Sequence, residues 1–137
     1  MIVIDASSLV KYLLKEENWH EVEEYLARER AYTVSYAVKE LLNALWRHAT
    51  LLKTFSREIA VEKWTLFKRL AESDVIVLKA QEEYLEIALN IALDYGITVY
   101  DSLYIACASK LKASLLTSDE EQSKVAEMLG LPVIFIE

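Results

Sequence analysis

The sequence predicts an α/β fold in which short parallel strands form one sheet, covered on both faces by helices. Short runs of β-branched apolar residues alternate with longer segments whose apolar positions recur at helical spacing. Strands that alternate with helices in this way are typical of a parallel sheet that is buried on both faces. Two Gly and one Pro among 137 residues leave little room for long loops. We therefore expect one α/β domain that spans residues 1–137.

The N-terminal half of the chain predicts two strands and four helices. The strands are predicted where β-branched residues cluster, at residues 2–5 and 32–34. Helices are predicted where apolar residues recur at helical spacing behind a Ser or Asn that can cap the helix. These caps are Ser7 or Ser8, Asn18, Ser35 and Ser56, and the helices run to about Leu14, Leu26, Leu52 and Leu70.

The C-terminal half predicts three further strands and three further helices. The strands are expected at residues 75–78, 114–117 and 132–136. The helices are expected from Gln81 to Tyr95, from Asp101 to about Leu111, and from Glu120 to Leu129. Gly96 and Gly130 directly follow two of these helices, where a left-handed residue often ends a helix.

Three acidic residues stand where an apolar segment gives way to a predicted helix: Asp5, Asp101 and Asp119. Ligands of open parallel sheets bind at the carboxyl ends of the strands, and Asp5 and Asp119 fall at such ends. Asp101 is expected to open its helix after an extended stretch, Ile97-Thr-Val-Tyr. Asp101 and Asp119, each taken alone, are more often helix N-caps. Asp5 is harder to explain as a cap, because four apolar residues precede it and the nearest basic residue is Lys11.

A fourth acid, Glu40, lies on the helix predicted after Ser35. It shares one helix face with Tyr36, Asn43 and Arg47, which gives a polar stripe. The rest of the helix is mostly apolar, and we expect these apolar residues to be buried: Ala37, Val38, Leu41, Leu42, Leu45 and Trp46. A polar stripe on such a helix faces solvent, which is the commoner case, or lines a site. The sequence leaves both readings open.

The four acids together predict a metal site if the fold brings them into one crevice. Carboxylates near a core repel each other, and a divalent cation is the natural way to hold them ionised. Oxygen ligands favour Mg²⁺ or Mn²⁺, which can activate water and stabilise both reacting oxygens of a phosphodiester. The chain has no His or Cys cluster for zinc, no glycine-rich phosphate loop, and no Ser with a plausible His partner.

Composition limits the cellular setting and the partners. The net charge of −7 argues mildly against nucleic acid, but residues 39–69 carry seven Lys or Arg against three Glu. This basic segment is either a solvated helix face or a surface for phosphates. No apolar run approaches the ~20 residues of a membrane span. The N-terminus lacks the features of a secretory signal, and the single Cys107 cannot form an internal disulfide, so we expect a cytoplasmic protein.

Four motifs, in order, resemble those of the PIN-domain nucleases. They are Ile2-Val-Ile-Asp-Ala-Ser-Ser-Leu-Val, Val38-Lys-Glu-Leu-Leu-Asn-Ala-Leu, Val99-Tyr-Asp-Ser-Leu-Tyr-Ile-Ala-Cys-Ala and Leu115-Leu-Thr-Ser-Asp. The third motif is the most specific, and the set spans nearly the whole chain. The small size resembles the VapC-type toxins of toxin–antitoxin pairs. The resemblance implies a PIN-like three-layer α/β/α fold with a short-stranded, mainly parallel central sheet.

The same resemblance implies an RNA endonuclease that uses Mg²⁺ or Mn²⁺. Asp5 and Asp101 would be the main metal ligands, and Glu40 would complete the site directly or through water. Asp119 would complete a second metal position or orient the attacking water. Because Asp119, Glu120 and Glu121 are consecutive, Glu120 is the alternative fourth acid.

Further expectations follow from the resemblance. Ser7 and Thr117 match small polar positions that brace the acids, and Asn43 matches a polar position one turn after the second acid. The expected partners are an RNA substrate, a protein antitoxin and a second copy of the chain in a homodimer, with no membrane.

Three other functions stay open at this stage. The chain could be an RNA-processing nuclease of this fold outside a toxin–antitoxin pair, or a binding module of this fold without catalysis. A phosphate-transfer protein of the receiver or phosphohydrolase type is a third alternative. Phosphohydrolases would want a second Asp two residues after Asp5, where this chain has Ser7, which disfavours them.

Overall fold

The computed structural model describes residues 1–137 and contains one five-stranded sheet. The strands are β1 (Ile2–Ile4), β2 (Ala31–Val34), β3 (Ile76–Lys79), β4 (Ser114–Thr117) and β5 (Val133–Phe135). Their order across the sheet is β3-β2-β1-β4-β5, and all four pairings are parallel. The predicted α/β fold with a parallel sheet is therefore confirmed, and no antiparallel strand is present.

Seven α-helices connect the strands. They are α1 (Ala6–Leu13), α2 (Trp19–Arg28), α3 (Tyr36–Thr50), α4 (Arg57–Glu72), α5 (Leu85–Tyr95), α6 (Val99–Leu111) and α7 (Glu120–Met128). Residues Gln81–Tyr84 form a separate 3₁₀ turn, so the helix predicted from Gln81 begins one turn later. Gly96 and Gly130 have φ of 70° and 78°, which confirms that each follows a helix in the left-handed conformation. None of the helices combines the length and apolarity that crossing a bilayer requires.

The centre of the core lies around β1, β4 and α6. Val3, Ile4, Leu115 and Leu116 are completely buried in the two neighbouring strands. Helix α6 is buried along seven consecutive residues, Ser102–Ala108, and packs against β1, β2, β4, α5 and α7. A helix that is buried on all sides holds its N-terminal turn firmly, and this turn carries Asp101.

Two further predicted helix starts are wrong, and both of these errors concern an acid. Neither Ser7 nor Ser8 caps α1; instead the strand ends at Ile4 and the Asp5 side chain accepts a hydrogen bond from the Ser8 amide at 3.0 Å. Asp101 does not open α6, because the helix begins two residues earlier, at Val99, and Thr98 caps it by accepting from the Asp101 amide at 3.2 Å. The expected extended stretch at residues 97–100 is therefore already helical from Val99.

Helix α3 contradicts part of the predicted core. Leu41 and Leu45 are buried as expected, whereas Leu42 and Trp46 are 40% and 51% exposed. The two exposed residues lie about 100° around the helix from the buried pair, and Trp46 lines a shallow cavity between α3 and α4. Ser35 stands at the N-cap position of α3 but makes no capping bond, because its hydroxyl accepts from the Gln81 amide at 3.0 Å.

Candidate metal-binding active site

The four predicted acids lie around one cavity of about 470 Å³ at the carboxyl edge of the sheet. Asp5 follows β1, Asp119 follows β4, Glu40 lies on α3, and Asp101 lies in the first turn of α6. We call Asp5, Glu40, Asp101 and Asp119 the acidic cluster. The parallel pairing of β1 with β4 places the ends of these strands side by side, which explains why residues so distant in sequence meet.

Asp5 is the most enclosed member of the acidic cluster. Its side chain is completely buried, and it accepts hydrogen bonds from the first turn of α1 and from the end of β4. The Ser7 hydroxyl reaches its two oxygens at 2.8 and 2.7 Å, and the Thr117 hydroxyl donates to Oδ2 at 2.6 Å. Burial raises the pKa of Asp5 from 3.8 to about 6, although the bonds from Thr117, Ser8 and Ser7 act in the opposite direction.

Hydroxyl groups also connect Asp5 to the segment that carries Asp119. The Thr117 hydroxyl, which donates to Asp5, accepts from the Asp119 amide at 2.9 Å. The Ser7 hydroxyl similarly accepts from the Ser118 amide at 3.0 Å. Ser7 and Thr117, which the family resemblance assigned to bracing, therefore hold the ends of β1 and β4 together.

Glu40 is held from the core side by a tyrosine. The hydroxyl of Tyr104, a completely buried residue of α6, donates to Glu40 Oε1 at 2.6 Å. Partial burial raises the pKa of Glu40; the bond from Tyr104 opposes this shift, and the charges of Asp101, Asp5 and Asp119 add to it. Of the polar stripe of α3, Glu40 lines the cavity, whereas Asn43 and Arg47 are exposed to solvent.

Asp101 and Asp119 are both bonded to Gln122 on α7. The Gln122 backbone amide donates to Asp119 Oδ1 at 2.8 Å, so Asp119 does cap its helix. The Gln122 side-chain amide donates to Asp101 Oδ1 at 3.2 Å. Burial and then the charge of Asp119 raise the pKa of Asp101, against the bond from Gln122. Glu120, the alternative fourth acid, is exposed and does not line the cavity.

The acidic cluster has no cationic side chain to neutralise it. The single ion pair of the structure joins the N-terminal ammonium to Glu29. Lys11 lines the cavity, but its ammonium donates to the backbone carbonyl of Glu17 at 3.0 Å. Carboxylates that are half or fully buried without a counter-charge raise the free energy of the folded state. The arrangement therefore fits a cation from solution.

The carboxylate oxygens of the acidic cluster fit a hard divalent cation, but only one or two side chains can bind it directly. No three His, Cys, Asp or Glu side chains are grouped closely enough to hold a metal ion among themselves. Mg²⁺ keeps several of its waters and is commonly bound through one or two carboxylates, so the acidic cluster suits it better than it suits zinc or calcium. Asp5 and Asp101 remain the predicted ligands.

Two residues of the site were not singled out from the sequence for what they do here. Tyr104 lies one turn after Asp101, but only the packing of α6 against the sheet directs it to Glu40. Gln122 follows Asp119 by three residues, which is the spacing of a capping box. That signal indicated a helix start, whereas the bond of its side chain to Asp101 depends on the position of α6.

Comparison with known proteins places this geometry in a family. The PIN domain profile matches residues 2–128. The chain is 30% identical to Ribonuclease VapC3 of Pyrobaculum aerophilum over 135 residues, which covers 96% of this chain and 98% of that protein.

Two solved structures are similar in fold at low sequence identity. VapBC2 from Rickettsia felis, bound to a DNA fragment from the promoter, matches with a TM-score of 0.69 and 15% identity over all of both chains. Mycobacterium tuberculosis VapC20, described as a toxin that cleaves the sarcin–ricin loop, matches with a TM-score of 0.68 and 16% identity over 90% of this chain and 94% of that one. With the family profile and the 30% identical relative, the chain belongs to the PIN-domain family.

Proposed function

We propose that this protein is a metal-dependent endoribonuclease of the VapC type, which hydrolyses RNA phosphodiester bonds as the toxin of a toxin–antitoxin pair. The observation that carries the proposal is the acidic cluster, in which four carboxylates line one cavity without a cationic partner. Membership of the PIN-domain family and the likeness to a VapC ribonuclease support the reaction class. The buried, unpaired Cys107 suits a reducing cytoplasm.

Each residue of the acidic cluster has a role in the proposed reaction. Asp5 and Asp101 would hold Mg²⁺ or Mn²⁺, Glu40 would bind it through water or directly, and Asp119 would complete a second metal position or orient the attacking water. When bound, the cation supplies positive charge that acidifies a coordinated water and stabilises the charge on the phosphodiester. Ser7 and Thr117 fix Asp5 in place, and Tyr104 does the same for Glu40. Such preorganised ligands reduce the cost of orienting groups during the reaction.

The proposed protein partners are an antitoxin and a second copy of this chain. Several solved structures of the same fold are toxin–antitoxin complexes, among them one from Klebsiella pneumoniae. Apolar side chains remain exposed here on α5, where Leu85, Leu89 and Leu93 recur every four residues and form one stripe. Leu93 alone is 73% exposed, which favours a contact along α5 between two copies.

RNA cleavage and metal binding, measured on the same samples, test the proposal. The purified chain is incubated with structured and single-stranded RNAs in Mg²⁺ or Mn²⁺, and metal affinity is measured by calorimetry. We expect metal-dependent cleavage, and we expect Asp5→Asn and Asp101→Asn to abolish it while circular dichroism shows a preserved fold. Asp94→Asn is the matched control, because Asp94 is exposed on α5 and lines none of the cavities.

The outcomes separate this proposal from its rivals. A chain that neither binds the metal nor cleaves any RNA favours the binding module, and full cleavage by both Asn variants refutes the assignment of the acidic cluster. An RNA-processing nuclease outside a toxin–antitoxin pair would cleave RNA, yet its gene would have no neighbouring gene for a small protein that inhibits the cleavage.

A further inference from the structure

A second opening of similar volume adjoins the cavity of the acidic cluster and shares one lining residue with it. It has a volume of about 480 Å³ and is lined by Tyr36, Lys39, Glu40 and Asn43. Glu40 also lines the cavity of the acidic cluster, so the two openings adjoin at this side chain. A ligand that places a phosphate over the acidic cluster can therefore extend into the second opening.

Two tyrosines form an aromatic pair at this place. The rings of Tyr36 and Tyr100 are stacked, with centroids 5.0 Å apart and planes inclined by 20°. Tyr36 precedes Glu40 by one turn of α3, and Tyr100 directly precedes Asp101 in the first turn of α6. We call Tyr36 and Tyr100 the tyrosine pair. It bridges the two helices that carry two members of the acidic cluster.

One member of the tyrosine pair keeps a large free surface. Tyr100 is 57% exposed, although its ring packs against Tyr36. The Tyr36 side chain is a phenol, which is uncharged at neutral pH. A neutral, electron-rich ring at the rim of the acidic cluster adds no further negative charge against a polyanion.

We propose that the tyrosine pair, with Lys39 and Asn43, forms a subsite for one unpaired nucleobase of single-stranded RNA, next to the phosphodiester that is cut. This inference rests on the proposed ribonuclease function. Unstacked bases bind to aromatic side chains through their faces, and every base offers such a face. The Asn43 amide offers a donor and an acceptor to a base edge, and the Lys39 ammonium offers a charge to a flanking phosphate.

The chemistry of the lining favours RNA over a second copy of the chain. Lys39 and Asn43 are exposed, and Glu40 is half-buried. The central parts of protein–protein interfaces are depleted of charged residues. A nucleotide, in contrast, combines an aromatic face for the tyrosine pair, polar edges for Asn43 and an anionic backbone for Lys39.

The test compares how base removal affects binding with and without the Tyr100 ring. Oligoribonucleotides are derived from an RNA that the unaltered chain cleaves, each with one residue made abasic. Their affinities are measured by fluorescence anisotropy in Mg²⁺, in an Asp5→Asn background that prevents cutting. We expect one abasic position to weaken binding about tenfold, and we expect Tyr100→Leu to weaken the intact oligonucleotide by a similar factor.

The decisive result is whether the missing base and the Tyr100 substitution lower the RNA affinity independently of each other. In Tyr100→Leu the abasic substitution should have no further effect, whereas Tyr100→Phe, which keeps the ring, should retain the sensitivity. Tyr25→Leu is the matched control, because Tyr25 is an aromatic residue of α2 that lines none of the cavities. It should leave the whole abasic profile unchanged.

Two results overturn the subsite. One is that each abasic position weakens binding by the same factor in the Tyr100→Leu variant as in the chain that keeps Tyr100. The other is a change from dimer to monomer in sedimentation for Tyr100→Leu at unchanged RNA affinity, which would make the tyrosine pair a contact between copies. Cleavage by the unaltered chain distinguishes the two proposals. If it cleaves RNA and either result is found, only the subsite fails; if it neither binds nor cleaves RNA, the ribonuclease fails as well.

Discussion

The hydroxyl of Tyr104 donates a hydrogen bond of 2.6 Å to Glu40 Oε1, although 64 residues separate the two in sequence. Burial and the charge of Glu40 raise the pKa of Tyr104, so its hydroxyl keeps its proton at neutral pH and donates to Glu40. The bond ties a carboxylate at the rim of the cavity to the most buried helix of the fold. Glu40 is thus a fixed group, although it lies on a helix with one exposed side.

Removal of this hydroxyl should lower both stability and metal affinity. Tyr104→Phe keeps the ring volume in the core and deletes only the donor to Glu40. We expect the free energy of unfolding to fall by about 1.5–3 kcal/mol, the usual range for a hydrogen bond to a charged group, and Mn²⁺ affinity to fall with it. Urea unfolding and calorimetric titration measure the two effects. Unchanged Mn²⁺ affinity would show that Glu40 needs no brace.

Substitution of Gln122 by Leu should lower metal affinity without lowering stability. Its side-chain oxygen Oε1 is buried without a hydrogen-bond donor, while its amide nitrogen holds Asp101. A buried acceptor without a partner costs about 1–3 kcal/mol, so Gln122→Leu should leave the melting temperature unchanged or raise it. The same change frees the Asp101 carboxylate, and metal affinity should fall.

Gln122→Glu is the comparison for this prediction. It keeps the shape of the side chain but places a second acceptor against the Asp101 carboxylate, so it should lower the melting temperature. A Leu variant that is both less stable and normal in metal binding would contradict the role given to the Gln122 amide.

The metal-free protein should become less stable as the pH rises from about 4 to 6. Burial raises the pKa of Asp5 from 3.8 to about 6, so the folded state binds more protons than the unfolded state in this window. The cost of the ionised group is absent below pH 3.8 and fully present above about pH 6. A pKa difference of about two units corresponds to a loss of about 3 kcal/mol in the free energy of unfolding at neutral pH.

Asp5→Asn provides the control for this pH dependence. Asn is also a good N-cap, and it carries no charge at any pH. The variant should be more stable than the unaltered chain at pH 7 in EDTA, and this advantage should shrink towards pH 4 and disappear in saturating Mg²⁺. Chemical denaturation across this pH range measures the difference. An advantage that grows on acidification would have the wrong sign.

Thr117→Val tests the hydroxyl that joins Asp5 to the segment of Asp119. The substitution preserves shape, removes the donor to Asp5 and removes the acceptor of the Asp119 amide. We expect a loss of about 1–3 kcal/mol in the free energy of unfolding and weaker Mn²⁺ binding. Thr33→Val is the matched control, because the buried Thr33 hydroxyl donates to the Ile4 carbonyl, outside the cavity. It should cost stability without changing Mn²⁺ affinity.

The sequence predicted the sheet and the meeting of the acids because both depend on simple periodic signals. Short β-branched runs mark buried parallel strands, and the carboxyl ends of such strands share one edge, which brings Asp5 and Asp119 together. The start of α6 was missed because β-branched residues before Asp101 favour an extended reading, while the Thr98 cap overrides it.

Other features could not be read from one sequence because they depend on tertiary packing. Leu42 and Trp46 are as apolar as Leu41 and Leu45, and composition does not say which side of a helix another element covers. The bond from Gln122 to Asp101 likewise spans two helices whose relative position only the folded chain defines.

The placement of β1 between β2 and β4 has a consequence for synthesis on the ribosome. Asp5 precedes its partner Thr117 by 112 residues, so it leaves the ribosome well before the strand that carries Thr117. Until β4 has emerged, β1 is an edge strand and the cavity lacks one wall. The acidic cluster can therefore form only after Asp119, its last member in sequence, has been made.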